Sequence, residues 1–369
     1  MPVSSPLQRQ IIICVVLFLL LGQVILFSAT GVPALQRYGS EFYFVSRQAI
    51  TAIAGFFLML LLSRIKYQFW YRLAYAFFGI QILLIAATFV PGIGHHAQGA
   101  TRWIKFQGLL FQPSELAKIA VPLFISRVLA DYKSMPLSSR HIFGVTLSLI
   151  LLLGLIVKQP DLGTTTLLVL TILGTFFIAG LSLMYLLTGF ALGGIGFSLA
   201  LLHYEYRRKR LFAFLNPWAD PQGSGFQTIQ SFLSFYSGGI FGSGIGNGNS
   251  KLFYLPEVHT DFIFALIGEE LGFVGAVAVV ALFIYFVYLL FRTSFRALEP
   301  FACYLAFGLA FLLAAQVAVN LGGVTGLLPV KGLPLPFISW GRSALVVNLA
   351  MVGILLNIVR QSATLSPES

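Results

Sequence analysis

With 369 residues, 58% of them hydrophobic, only 9% charged and a mean hydropathy of +0.89, the chain is too apolar to clothe a soluble domain in polar surface. It is a polytopic membrane protein with a formal net charge of +11, and no nucleic-acid partner is expected. Its two cysteines, Cys14 and Cys303, both fall in apolar runs and imply neither a disulfide nor thiol chemistry.

Crossing the hydrocarbon takes roughly 20 residues. Apolar runs of that order lie at 11–29, 48–64, 73–91, 114–130, 142–158, 165–182, 184–202, 262–291, 300–321 and 343–360. The first lacks a small-x-small cleavage site and is expected to stay attached. The expected fold is an all-α integral membrane protein of about ten transmembrane helices, one domain over 1–369, with a long extracytoplasmic loop at 203–261 between helices 7 and 8. Ten spans put both termini on one side. The basic clusters around residues 64–72 and 127–140 place that side in the cytoplasm. Thirteen of the 23 Lys and Arg then lie outside or at outer helix ends. This excess suits a polyanionic ligand such as a phosphate-bearing lipid, or contact with anionic headgroups.

In chain order, GHHAQGATRWIKFQGLLFQPSELAK mixes Trp103, Phe106 and Leu110 with Arg102 and Lys105, as a segment lying in the membrane interface would. In the next span Glu115 and Lys118, at i and i+3, are either a self-neutralising pair or a functional one. In KQPDLGTT, Lys158 and Asp161 bracket Pro160; either both charges face a polar cavity or Asp161 caps the following helix. The long loop opens with HYEYRRKRLFAFLNPW, whose Arg207 and Arg210 precede aromatic anchors, and Gln227–Tyr236 suits a short helix packed on the bundle. Its glycine run, GGIFGSGIGNG, lacks the strand and Lys-Ser/Thr of a phosphate loop and suits a turn that lets backbone approach a bulky substrate.

LPEVHTDFIFALIGEELG then places Glu257, His259 and Asp261 at the mouth of a helix and Glu269 and Glu270 inside it. Two turns of helix, roughly 12 Å at 1.5 Å per residue, separate Asp261 from that pair, which is expected to be buried as structural or cavity carboxylates. Last comes GGVTGLLPVKGLPLPFISWGRS, with Lys331, Ser339 and Arg342, too apolar for a solvated loop and suited to re-entrant or cavity-lining backbone.

Five of these segments, GATRWIKFQGLLFQPSELAK, KQPDLGT, GGIFGSGIGNG, KLFYLPEVHTDFIFALIGEELGFVG and GLLPVKGLPLPFISWGRS, resemble the shape, elongation, division and sporulation family of RodA and FtsW glycosyltransferases in order and spacing. IGEELG and KGLPLPFIS look more like the division-type branch. Trp340 and Arg342 depart from the family's Tyr and Gly in that segment.

The resemblance implies polymerisation of the lipid-linked disaccharide lipid II into β-1,4 glycan at the outer face of the bacterial cytoplasmic membrane. It also implies a class B penicillin-binding protein as transpeptidase partner. Asp261 matches the family's essential aspartate and is the expected base, with Glu257 as helper. Arg102, Lys118, Lys158, Arg207, Arg210, Lys331 and Arg342 are the candidates for meeting the departing diphosphate, and Glu115, Asp161 and Ser339 are expected with them among the substrate-binding residues. A divalent cation, Mg or Mn, could bridge that diphosphate and a carboxylate. The rival readings are a lipid II flippase and a non-catalytic scaffold of a division complex.

Overall fold

The computed structural model describes residues 5–97, 100–106, 109–134, 139–180, 212–248 and 258–365. Within them the chain forms α1 (Pro6–Tyr38), α2 (Tyr43–Leu62), α3 (Tyr67–Ala87), a ribbon of β1 (Gly94–Ala97), β2 (Ala100–Phe106) and β3 (Leu109–Phe111), then α4 (Pro113–Ser134), α5 (Ser139–Lys158), α6 (Leu162–Ile178), α7 (Phe226–Gly238), α8 (Ile263–Arg296), α9 (Pro300–Val324) and α10 (Arg342–Leu365). Nine of the ten expected spans coincide with a helix; the run at 184–202 lies outside the described residues, as do Arg207, Arg210 and Glu257.

Seven of the helices, α1, α2, α3, α5, α8, α9 and α10, are long and apolar enough to cross a membrane. At 17 residues α6 is apolar but shorter. α4 carries Glu115, Lys118, Arg127, Asp131 and Lys133, and it is surrounded by α3, α6, α9 and α10. The exterior is apolar and the interior partly polar: Leu83 and Phe143 are each 69% exposed, while Gln81 and Lys118 are fully buried. That inversion suits lipid as solvent, where polar groups must find partners inside the protein.

The helices begin and end for local reasons. Ser5 and Gln8 form a capping box in front of Pro6, and Gly39, at φ 72°, closes α1 by donating its N–H to Leu35 O at 2.9 Å. The segment after α3 is an antiparallel sheet ordered β1-β2-β3, with Gly94 opposite Ile104 and Ile104 opposite Phe111. Both strand pairs are antiparallel, so the central strand β2 makes its backbone hydrogen bonds within the ribbon.

At the end opposite the ribbon, Arg127 pairs with Asp131 at 2.8 Å and lies over the Tyr71 ring, while Asn357 reaches Ser63 O across the bundle. The other end gathers the ribbon, the N-termini of α4, α6, α8 and α10 and the C-termini of α1, α3, α5 and α9. Contacts there include Arg102 with the 159–160 turn, Gln81 with Pro113 and Trp340 with His259.

α8 is not continuous. Gly272 sits at φ 70° and ψ −170°, which breaks the helix into a buried first section and a longer second one. Such a break strands two N–H and two C=O groups, and the glycine run after α7 takes them up. Phe273 and Val274 donate to Gly239 O and Ile240 O at 2.9 and 3.1 Å, and Glu269 O and Glu270 O accept from Ser243 and Gly244, both at 3.0 Å. The glycines are needed for closeness: a Cβ on Gly272 would lie 2.2 Å from Gly242 N, and one on Gly242 2.2 Å from Glu270 O. The expected turn that brings backbone close is therefore a clamp on the chain's own broken helix. Glu270 is buried beneath it and accepts from Ser28 and from Gly246 N.

Gly272→Ala is expected to cost about 3 kcal/mol, since its backbone conformation is open essentially to glycine alone. Gly79→Ala, on an exposed stretch of α3 with no neighbour within 4 Å, is the control, where the added methyl suits the helix by about 0.5–1 kcal/mol. Thermal unfolding in detergent should lower the midpoint of the first and hold or raise that of the second.

Candidate active site

Residues 325–341 run from α9 to α10 as irregular chain, yet Leu333, Leu335, Phe337, Ile338 and Ser339 are buried. Three prolines, Pro329, Pro334 and Pro336, keep this stretch from becoming helix. It dips into the bundle as expected: Phe337, at φ 67°, stacks on Phe18 with centroids 6.0 Å apart and meets Phe286 edge-on at 5.7 Å. Gly22 of α1 makes room, since a Cβ there would sit 2.9 Å from Ile338 Cα.

Buried amides from the helices hold this chain. Gln48 of α2 donates to Ser339 O at 3.0 Å, Gln316 of α9 to Pro334 O at 2.9 Å, and Asn320, one turn further along α9, to Leu333 O at 2.7 Å and Asp261 O at 2.9 Å. Trp340 N donates to His259 O at 2.8 Å, so the re-entrant chain and the entrance to α8 are fastened together. The Phe44 ring lies between those of His259 and Trp340, which gives His259 a packing role.

The result is a small, open cleft lined by Asp261, Asn320, Lys331 and Gly332 with Val319 and Leu333 among its apolar walls. Gly332, at φ 66°, leaves the carboxylate's flank open, a Cβ there falling 3.5 Å from Asp261 Oδ2. Lys331 donates to Thr166 Oγ1 of α6 at 3.1 Å, and burial pushes its ammonium pKa below the ordinary lysine value. A carboxylate and a desolvated cation in one cleft can accept a proton and receive a departing anion.

The other expected residues fall around this cleft in distinct settings. Lys118, fully buried, donates to both Glu115 oxygens at 2.8 and 2.9 Å and to Gln316 Oε1 at 3.1 Å, so the pair connects through Gln316 to Pro334. Asp161 caps α6 by accepting from Thr164 N, and also accepts from Ser114 Oγ at 2.8 Å and Gln112 Nε2 at 3.3 Å. Lys158 does not converge with it but lies over the Phe89 ring at 5.1 Å. Arg102 donates to Gln159 O at 2.9 Å and Pro160 O at 2.6 Å, tying the ribbon to the α5–α6 turn. Ser339 Oγ accepts from Leu335 N at 2.9 Å and folds its own turn, and Arg342 is the half-buried first residue of α10.

Among the described residues no three His, Cys, Asp or Glu side chains gather as a metal set, and Asp261 is the one described carboxylate that lines the cleft. Sequence reasoning passed over Gln316, Asn320, Gln112, Ser114 and Thr166. The first two carried a signal, being amides at i and i+4 inside an otherwise apolar span.

A family profile for the FtsW, RodA and SpoVE proteins, described as cell cycle proteins, matches residues 8–364. The chain belongs to the FtsW, RodA and SpoVE family. It is 43% identical over 343 residues to a probable peptidoglycan glycosyltransferase FtsW of Geobacter metallireducens, covering 91% of this chain and 90% of that one. To the stage V sporulation protein E of Bacillus subtilis, another family member, it is 37% identical over 353 residues, 95% and 96% of the two chains. Two solved structures share the family's fold. One is a chain of a peptidoglycan synthase complex studied for its coordination of polymerization and crosslinking, with a TM-score of 0.77, 30% identity and coverage of 95% and 97%. The other is the rod shape determining protein RodA of Thermus thermophilus, with a TM-score of 0.70, 28% identity and coverage of 95% and 96%. As a member of this family the chain is a multi-pass membrane protein.

Proposed function

We propose that this chain is a peptidoglycan glycosyltransferase of the division type, polymerising lipid II at the outer face of the bacterial cytoplasmic membrane. The observation that carries this reading is the shared cleft of Asp261 and Lys331 in a family whose relatives bear that activity in their names. In the reaction the 4-hydroxyl of the acceptor N-acetylglucosamine attacks the anomeric carbon of the lipid-linked N-acetylmuramic acid. Asp261 takes the hydroxyl proton, the bond from that carbon to the diphosphate breaks, and undecaprenyl diphosphate leaves with the electron pair, its charge met by Lys331. Inversion from the α-diphosphate to a β-1,4 bond needs one base on the attacking side, and one carboxylate suffices. With the ribbon end outward, both termini are cytoplasmic. A class B penicillin-binding protein is proposed as the partner that cross-links the strands, in keeping with the structural neighbour from a peptidoglycan synthase complex.

The test uses purified protein and that partner in proteoliposomes with labelled lipid II. Glycan strands are the expected product. Movement of lipid II across the bilayer without polymer would favour the flippase reading, and neither outcome the scaffold. Chelation in the same assay, followed by Mg or Mn, tests the proposed divalent cation.

Lys331 predicts a pH dependence. Burial disfavours its ammonium form, so it loses its charge at a lower pH than an exposed lysine, and affinity for the diphosphate falls as pH rises through that lowered pKa. Lys331→Arg keeps the charge at any working pH. Its profile of kcat/KM against pH should therefore extend further on the alkaline side than that of the unaltered protein.

A further inference from the structure

Resting on that reading of the cleft, we propose that Asn320 is a positioning residue that sets the base, Asp261, against the cationic loop of Lys331. Its amide nitrogen has two hydrogens and uses both on backbone carbonyls, Asp261 O at 2.9 Å and Leu333 O at 2.7 Å. Carbonyls only accept, so the nitrogen must face them, and the orientation of the amide is set by chemistry. The two carbonyls belong to segments far apart in sequence, the entrance of α8 and the re-entrant chain, and Lys331 and Gly332 lie immediately before the second of them. One planar group thus fixes the distance between the proton acceptor and the cation.

Asn320 is 5% exposed, and its Oδ1 is buried with no hydrogen-bond partner among the described residues. A buried acceptor left unmade opposes folding and offsets part of what the two donated hydrogen bonds contribute. Gln48 and Gln81 also grip carbonyls at this end of the bundle with a buried, unpartnered oxygen, but neither touches Asp261 or lines its cleft. Asn320 does both.

The test compares Asn320→Leu and Asn320→His with the unaltered protein in polymerisation of labelled lipid II, with kcat and KM separated and thermal midpoints measured in detergent. Asn320→Leu removes both donors at similar volume. Its kcat should fall about a hundredfold, as expected when a reacting group is misplaced by about 1 Å, while KM changes less than threefold; the midpoint falls modestly, because two carbonyls lose their donor. Asn320→His keeps one ring N–H and should recover part of the lost kcat. An unchanged kcat in Asn320→Leu, measured well below its midpoint, overturns the inference, as does a loss carried wholly by KM. If the unaltered protein makes no polymer, the proposed function itself fails.

Discussion

An Asp261→Asn protein is expected to fold, insert and bind lipid II, yet to form glycan strands about a hundred to ten thousand times more slowly than the unaltered chain, the usual contribution of a positioned general base. The substitution changes one oxygen to an amide nitrogen at constant shape. The main-chain carbonyl of residue 261, through which Asn320 holds this segment, is untouched. A neutral amide cannot take the proton of the attacking hydroxyl, so the loss should appear in kcat rather than KM. Single-turnover polymerisation in proteoliposomes, with the thermal midpoint as the folding control, measures it. Full polymer yield from the asparagine variant would remove Asp261 from the role of base.

The second large effect is expected on stability. Lys118→Met leaves Glu115 as a buried carboxylate deprived of its cation, which costs about 3–5 kcal/mol when a buried pair is broken from one side. Replacing both, Glu115→Leu with Lys118→Met, removes the charge along with its partner and should return most of that stability, because buried pairs contribute little relative to apolar groups of the same volume. Chemical unfolding of the single and double variants in detergent decides. A single variant as stable as the unaltered protein would show that the Glu115 charge is compensated elsewhere.

Much of this molecule was legible because lipid imposes a simple demand: a stretch of about 20 apolar residues and a helix are nearly the same statement. α4 was legible despite its charges, because Glu115 and Lys118 at i and i+3 could neutralise each other. The break in α8 was not, since LIGEELGFVGAV holds three glycines and none of them is marked by the sequence as the point of the break. What marks Gly272 is its partnership with Gly242, thirty positions earlier in the chain, and such a partnership is a tertiary property. The strands of the ribbon after α3 were not legible for a related reason: mixed aromatic and basic residues mark an interfacial segment without choosing its secondary structure, and the choice falls to pairing. At the site, the charged residues drew notice and the amides did not, although Gln316 and Asn320 hold the chain that the charges stand on.

The exchange of hydrogen bonds across the α8 break also makes a knot of sorts. Residues 239–244 are tied to 269–274, so the chain between them is a noose drawn shut at its base, with Asp261 on its circumference. The second section of α8 is outside the noose. A thermal opening of the segment that carries Asp261 can therefore stop at the tie, leaving the rest of that helix, and the α9 packed along it, in register.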